Sequence, residues 1–98
     1  MALNIATIKE LTATGDVTTA GKAGILHYVV FTGATVGDTL DIDDGGTTRI
    51  TLITAVANEP LYFNPPSDKR PVWESDIGAT ITKTGNAFAT FIYEEIEE

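Results

Sequence analysis

The longest continuous apolar run in the sequence is the feature that most constrains its fold. It extends from Gly24 to Phe31 and reads Gly-Ile-Leu-His-Tyr-Val-Val-Phe. Its second half contains only aromatic and β-branched residues, and a run of this length between two glycines, Gly24 and Gly33, is typical of a strand covered on both faces. We therefore expect this segment to be a central strand of a β-sheet.

Simple alternation along this strand predicts which side chains share a face. One face would carry Ile25, His27, Val29 and Phe31, and the other Leu26, Tyr28, Val30 and Thr32. Neither set is plainly polar. One face is thus expected to form the core, and the other to be covered by a second layer, a long loop or a neighbouring subunit.

A β-hairpin is predicted in the middle of the chain. Asp38 to Asp43 alternate apolar with polar residues, and Asp43 to Gly46 supply the positions of positive φ that a tight turn needs. The return strand, Thr47 to Val56, would point Ile50, Leu52 and Val56 inward.

Further short strands are predicted along the rest of the chain. They lie within Leu3 to Ala13, Val17 to Thr19, Leu61 to Phe63, Val72 to Glu74, Ile77 to Lys83 and Ala87 to Tyr93. In the strand from Ile77, the residues Ile77, Ala79 and Ile81 alternate with Gly78, Thr80 and Thr82. The last strand is apolar on both faces, with Phe88 and Ile92 on one and Ala89, Phe91 and Tyr93 on the other. Gly85-Asn86 is expected to join the last two strands as a second hairpin. Asn64 to Pro71 contains three prolines and is expected to form a surface loop or an excursion from a sheet edge, because proline cannot donate to a ladder.

These segments indicate an all-β fold. Seven to eight short strands without a sustained helical period predict one small antiparallel β-sandwich or jelly-roll-like domain over residues 1–98. The acidic tail, residues 94–98, is expected to be frayed and solvated.

Composition removes several classes of function. The chain has no cysteine, so it has neither disulfides nor thiolate metal sites. A net charge of -8 with six basic residues argues against nucleic-acid binding. No apolar run approaches the ~18 residues that span a bilayer. The start lacks a basic signal-peptide region, which predicts a protein made and retained in a cytoplasm.

No catalytic, cofactor or metal site is predicted. His27 is the sole histidine, which rules out a multi-His metal site within one chain, and we interpret it as structural. The carboxylates of Asp38, Asp41, Asp43 and Asp44 precede two glycines, as in a calcium loop. Leu52 stands where an EF-hand needs glutamate, so we interpret the cluster as a solvated turn.

An interface is the one kind of site that the residues favour. Aromatic residues with arginine are enriched at the centres of interfaces, and such residues flank the Pro-rich loop. The candidate interface residues are Tyr62, Lys69, Arg70 and Trp73. The alternative for Trp73 is that it completes the core.

Part of the sequence resembles a family of short tailed-phage proteins. Members show a Gly-x-Leu-His-x-Val strand, a strand ending in Asp-Gly and a late strand closing in Val/Ile-Tyr. Gly24 to Phe31, Gly37 to Gly45 and Ile92-Tyr93 match these three features, so the similarity extends from about Ala23 to Tyr93. The Pro-rich loop and the acidic tail depart from the family pattern.

The resemblance implies a non-enzymatic structural protein of a virion. The expected role is a capsid decoration protein on the outer head surface, with the major capsid protein or other virion subunits as partners. Surplus apolar faces predict a homo-oligomer, and the resemblance adds a preference for a trimer. The alternative is a carbohydrate- or receptor-binding sandwich, or a module associated with the tail or a fibre.

Overall fold

The structure is a computed structural model that describes residues 6–96, and it is an all-β sandwich of two antiparallel sheets. The strands are β1 (Thr7–Leu11), β2 (Gly15–Asp16), β3 (Gly24–Gly33), β4 (Thr39–Asp44), β5 (Thr47–Ile53), β6 (Pro60–Phe63), β7 (Val72–Trp73), β8 (Ile77–Thr82) and β9 (Ala87–Glu95). A short 3₁₀ turn, Ser67–Lys69, lies between β6 and β7. Within residues 6–96 no helix is long and apolar enough to cross a membrane.

The strand order is that of a jelly roll. One sheet runs β1-β9-β3-β6, with β7 also paired to β3, and the other runs β2-β8-β4-β5. Strands β6 and β7 pair with opposite ends of β3, so they form one edge strand that residues 64–71 interrupt. When β6 and β7 are counted as one strand, the fold has eight strands. The first strand pairs with the eighth, the second with the seventh, the third with the sixth and the fourth with the fifth, and successive pairs lie in alternate sheets. The predicted sandwich is confirmed, and the interruption raises the count to nine strands.

The core lies between the two sheets. Its buried side chains are Val17, Leu26, Val29, Phe31, Leu40, Ile42, Trp73, Ile77, Ala79, Ile81, Ala87, Ala89, Phe91 and Tyr93. The predicted central strand is confirmed, because β3 lies between β9 and the interrupted edge strand. Alternation also predicted the inward residues of β8 correctly. In β9 the face that carries Ala89, Phe91 and Tyr93 is the one that lies in the core.

A β-bulge corrects the predicted faces of the central strand. Leu26 pairs with Tyr93 and Tyr28 pairs with Ile92, which leaves His27 as an extra residue without a partner in β9. One inserted residue reverses the alternation. Leu26 therefore points into the core together with Val29 and Phe31, in contrast to the division predicted from a regular strand.

The two predicted hairpins have different outcomes. The turn between β4 and β5 is confirmed, with φ of 58° at Gly45 and 97° at Gly46. Gly85-Asn86 does not close a hairpin, because β8 and β9 lie in different sheets. The connection between them crosses from one layer of the sandwich to the other, a distinction that local turn chemistry does not encode.

Three smaller predictions also need correction. The short strand expected at Val17 to Thr19 lies instead at β2, while Val17 itself is buried in the core. Val56 lies beyond the end of β5 and is exposed. Glu94 and Glu95 belong to β9, so this part of the tail is not frayed. Leu3, Ile5 and residues 97–98 lie outside the described residues.

Candidate functional site

The outer face of the β1-β9-β3-β6 sheet is apolar. Side chains that are opposite one another in neighbouring strands share a face, and Ile8, Ile92 and Tyr28 form one such row across three strands. Val30 and Tyr62 continue the face into the edge strand. We call this surface the outer apolar face; its members are Ile8, Ile25, Tyr28, Val30, Tyr62, Val72, Phe88 and Ile92.

No second layer from the described chain covers this face. Ile8 is 70% exposed, Tyr62 59% and Phe88 42%. The rings of Tyr28 and Tyr62 are tilted against each other with their centroids 6.0 Å apart. Exposed apolar patches that extend across several strands mark interaction sites in soluble proteins, so this face is the main candidate for a binding surface.

The outer face of the other sheet has the opposite chemistry. Asp41 is opposite Thr51 and Thr80 in the neighbouring strands, and the Thr51 hydroxyl donates to Oδ1 of Asp41 over 2.6 Å. Asp43 and Asp16 flank the small residue Gly78. We call this surface the outer polar face. It consists mainly of threonine and aspartate, with Ile53 as an exposed apolar residue at its edge.

The structure separates the four predicted interface residues. Tyr62 is exposed on the outer apolar face and Lys69 is exposed on the Pro-rich loop. Arg70 is half-buried, and its Nε has no hydrogen-bond partner. Trp73 is 1% exposed, which corrects its assignment to the interface: it completes the core, the alternative that the sequence left open.

Arg49 lies next to Trp73 at one edge of the sandwich. It is the extra residue of a second bulge, because Ile42 pairs with Ile50 and Asp43 with Thr48. Its guanidinium lies 5.0 Å from the centre of the Trp73 ring and donates to the Val72 carbonyl over 3.2 Å. A cation at this distance over an indole ring is attracted to it. Arg49 thus links the edges of the two sheets.

Two of the four clustered aspartates are structural. Asp38 is 3% exposed, and its carboxylate accepts hydrogen bonds from the backbone N–H groups of Thr35 and Thr84. Asp44 accepts from the backbone N–H groups of Glu74 and Ser75. The interpretation of the whole cluster as a solvated turn was therefore wrong for these two residues, which hold three loops in place.

The hydrogen bonds to Asp44 outweigh the effect of its burial. Burial alone raises the pKa of this carboxyl, whereas the backbone N–H groups of Ser75, Glu74 and Asp76 and the charge of Arg49 lower it. The net result is a lowered pKa. The Glu95 pKa is also lowered, chiefly because the backbone N–H of Thr19 donates to its carboxylate over 2.6 Å. Both carboxylates are therefore more stable as anions in the folded protein.

His27 and Glu94 form a hydrogen-bonded polar pair on the outer apolar face. Nε2 of His27 and Oε1 of Glu94 are 2.6 Å apart, and both side chains are mostly buried. This geometry agrees with the interpretation of His27 as a hydrogen-bonded structural residue. Within residues 6–96 no group of three or more His, Cys, Asp or Glu side chains could hold a metal ion.

A cavity of about 270 Å³ lies at the end of β1 and β9. It is lined by Glu10, Thr12, Lys83, Asn86, Ala87 and Phe88. An aromatic ring beside several polar groups is a lining that small-molecule sites use. This cavity is contiguous with the outer apolar face through Phe88.

Comparisons of the chain with protein-family models, curated proteins and solved structures found no match. The functional interpretation therefore depends on the two outer faces. The sequence signalled the apolar one, since Phe88 and Ile92 were predicted to share a face of β9. It gave no signal for Arg49 or Asp44 as links between layers, because each acts on residues far away in the chain.

Proposed function

We propose that this chain is a non-enzymatic structural component of a tailed-phage virion that decorates the outer surface of the head. The observation that carries the proposal is the contrast between the two outer faces of the sandwich, one apolar and one rich in aspartate and threonine. A domain with this contrast is suited to an assembly in which one face is covered and another is solvated. The resemblance from Ala23 to Tyr93 supports the same class, and viral capsid domains often use the jelly roll.

The charge of the chain favours the outside of the particle. A net charge of -8 is repelled by packed DNA in the interior. On the outer shell the same charge promotes solubility, and its repulsion is screened beyond ~8–10 Å at physiological salt. The protein would thus be added to the head surface after synthesis in the host cytoplasm.

The Pro-rich loop is the proposed contact with the capsid. Lys69 and Arg70, two of the six basic residues, are adjacent in it, and the loop interrupts the edge strand between β6 and β7. The exposed Lys69 side chain of this loop suits an acidic site on a capsid subunit, because charge complementarity fixes the register of an interface.

The test measures binding of purified protein to capsids that lack it. We expect saturable binding at a defined number of copies per head and greater resistance of the loaded heads to heat. Lys69→Glu should weaken binding about tenfold or more. Lys83→Glu is the matched control, because Lys83 is at the opposite edge, where it donates to the Thr12 carbonyl beside β1.

Two results would contradict the proposal. The first is the absence of binding to any head lattice, and the second is a low copy number on the tail when intact particles are analysed by quantitative mass spectrometry. Equal loss of binding in both lysine variants would remove the Pro-rich loop from the contact and leave only the general effect of charge.

A carbohydrate-binding module on a fibre is the second candidate, favoured by the cavity beside Phe88. A ring that is 42% exposed, with Glu10 and Asn86 nearby, offers both a stacking surface and hydrogen-bonding groups for a sugar. Thermal shifts across a glycan panel test this candidate. A shift that Asn86→Ala abolishes would favour sugar binding over decoration.

A further inference from the structure

We propose that the outer apolar face is a self-association surface, on which a second copy of this chain packs face to face about a twofold axis. This pair differs from the trimer that the family resemblance favours, since a cyclic trimer does not place identical faces against each other. The proposal concerns the purified chain alone, so it can hold or fail whether or not the chain binds a capsid. Its basis is the area, charge and shape of the outer apolar face.

The area of the face matches the lower end of specific interfaces. A nine-residue strand such as β9 is about 30 Å long, and four strands at their usual spacing are about 19 Å wide. Because β1 and the interrupted edge strand are shorter than β9, the strands of two copies cover roughly 1,000 Å² in projection. Projecting side chains such as those of Ile8 and Tyr62 increase the accessible area that is buried. Such an area is sufficient for a reversible dimer.

The charge distribution favours this face over others for contact between two acidic chains. Of the two carboxylates on the face, Glu94 is bonded to His27, and Glu10 is on the edge strand β1, where it can remain solvated. The aspartates of the outer polar face would point away from the partner. Sheets pack about 10 Å apart, so the two outer polar faces are separated by three sheet spacings and most of their repulsion is screened at physiological salt.

The shape of the face suits another sheet. Two sheets pack with their strand directions about 30° apart and with interdigitated apolar side chains. An apolar sheet face is complementary to its own copy without any pattern of matched charges, which a twofold interface permits because both subunits use the same patch. The paired rings of Tyr28 and Tyr62 supply the aromatic content typical of interface centres.

Sedimentation equilibrium of the wild-type chain from low to high micromolar concentration tests the pair. We expect a reversible change from one to two copies. The double variant Ile8→Glu/Tyr62→Glu should weaken association at least about tenfold, because each change buries a carboxylate in an apolar interface. The double variant Ile53→Glu/Val56→Glu is the matched control: its residues are 58% and 55% exposed, it adds the same charge, and both residues lie outside the face.

A second measurement uses only the wild-type chain, so its result does not depend on whether a variant folds. Hydroxyl-radical footprinting of the wild-type chain at both ends of the concentration range should show protection of Ile8 and Tyr62 but not of Ile53 and Val56. A chain that stays monomeric at high micromolar concentration would overturn the proposal. So would association that both double variants leave intact, or a mass of three copies, since a cyclic trimer cannot pair identical faces.

Discussion

His27 and Glu94 are hydrogen-bonded across two strands, with Nε2 and Oε1 2.6 Å apart, at the position where His27 is inserted as an extra residue into β3. The bond joins the bulge to the last strand. Glu94 thus contacts a residue 67 positions earlier in the chain, and backbone pairing with Ile25 holds this part of the acidic tail in the sheet.

Glu94→Ala should therefore destabilise the fold by about 1 kcal/mol, the usual net contribution of one hydrogen bond. Urea unfolding measures the change. Glu10→Ala is the control, because Glu10 is an exposed carboxylate on the same face, and its loss should change the free energy of unfolding by less than about 0.5 kcal/mol. The double variant with His27→Ala should be less destabilised than the sum of the single variants; strict additivity would mean that the bond contributes nothing.

Gly45→Val should destabilise the protein by about 1–3 kcal/mol. Gly45 has φ of 58°, and a Cβ added there would lie 2.7 Å from the Cβ of Ser75, so backbone and packing both oppose the change. Gly85→Ala is the control. Its Cβ would meet Thr35 Oγ1 at an ordinary 3.7 Å, and its φ is not positive, so we expect a change near zero in thermal unfolding. A large loss at Gly85 and none at Gly45 would contradict the assigned turns.

Acid should weaken the attachment of the loop at residues 74–76. Because the pKa of Asp44 is lower in the folded protein than its ordinary value of 3.8, its contribution to stability is fully present above that value. This contribution is lost as the pH falls through the lower, folded pKa. Glu95 acts with the same sign.

Asp44→Asn should then cost about 1–2 kcal/mol at neutral pH, and this cost should fall as the pH is lowered well below 3.8. Urea unfolding at several pH values tests this. The control Asp68→Asn changes an exposed carboxylate on the Pro-rich loop and should give a nearly constant, small difference. A cost for Asp44→Asn that does not change with pH would show that the charge of Asp44 does not cause its contribution to stability.

Arg49→Gln should destabilise the protein by about 1 kcal/mol and alter the emission of Trp73, the sole tryptophan. The variant removes the cation over the ring and the hydrogen bond to the Val72 carbonyl. Thr48→Gln, at the neighbouring exposed position of β5, is the control. Unchanged emission in the Arg49 variant would mean that the guanidinium does not lie over the indole in solution.

The sequence determined the class of fold and the position of most strands. Apolar residues at every second position fix which side of a strand is buried, and two consecutive glycines after Asp44 fix a tight turn, because both signals act between neighbours in the chain. The central strand, the hairpin at Gly45 and the division of β9 into two faces were predictable for this reason. The same alternation indicated that β9 has apolar residues on its outer side.

Only the tertiary structure decided how the strands share two sheets and which residues hold them together. Local turn chemistry at Gly85-Asn86 favours a hairpin, but sheet membership depends on long-range pairing, and β9 finds its partners in β1 and β3. The bulge at His27 depends on the register with β9 and changes which residues of β3 reach the core. Trp73 could fill the core or lie at the surface, and its pairing with Gly24 of β3 places it in the core. Each of these outcomes depends on contacts between segments far apart in the chain. The periodicity of a sequence describes only neighbouring residues, so it does not predict such contacts.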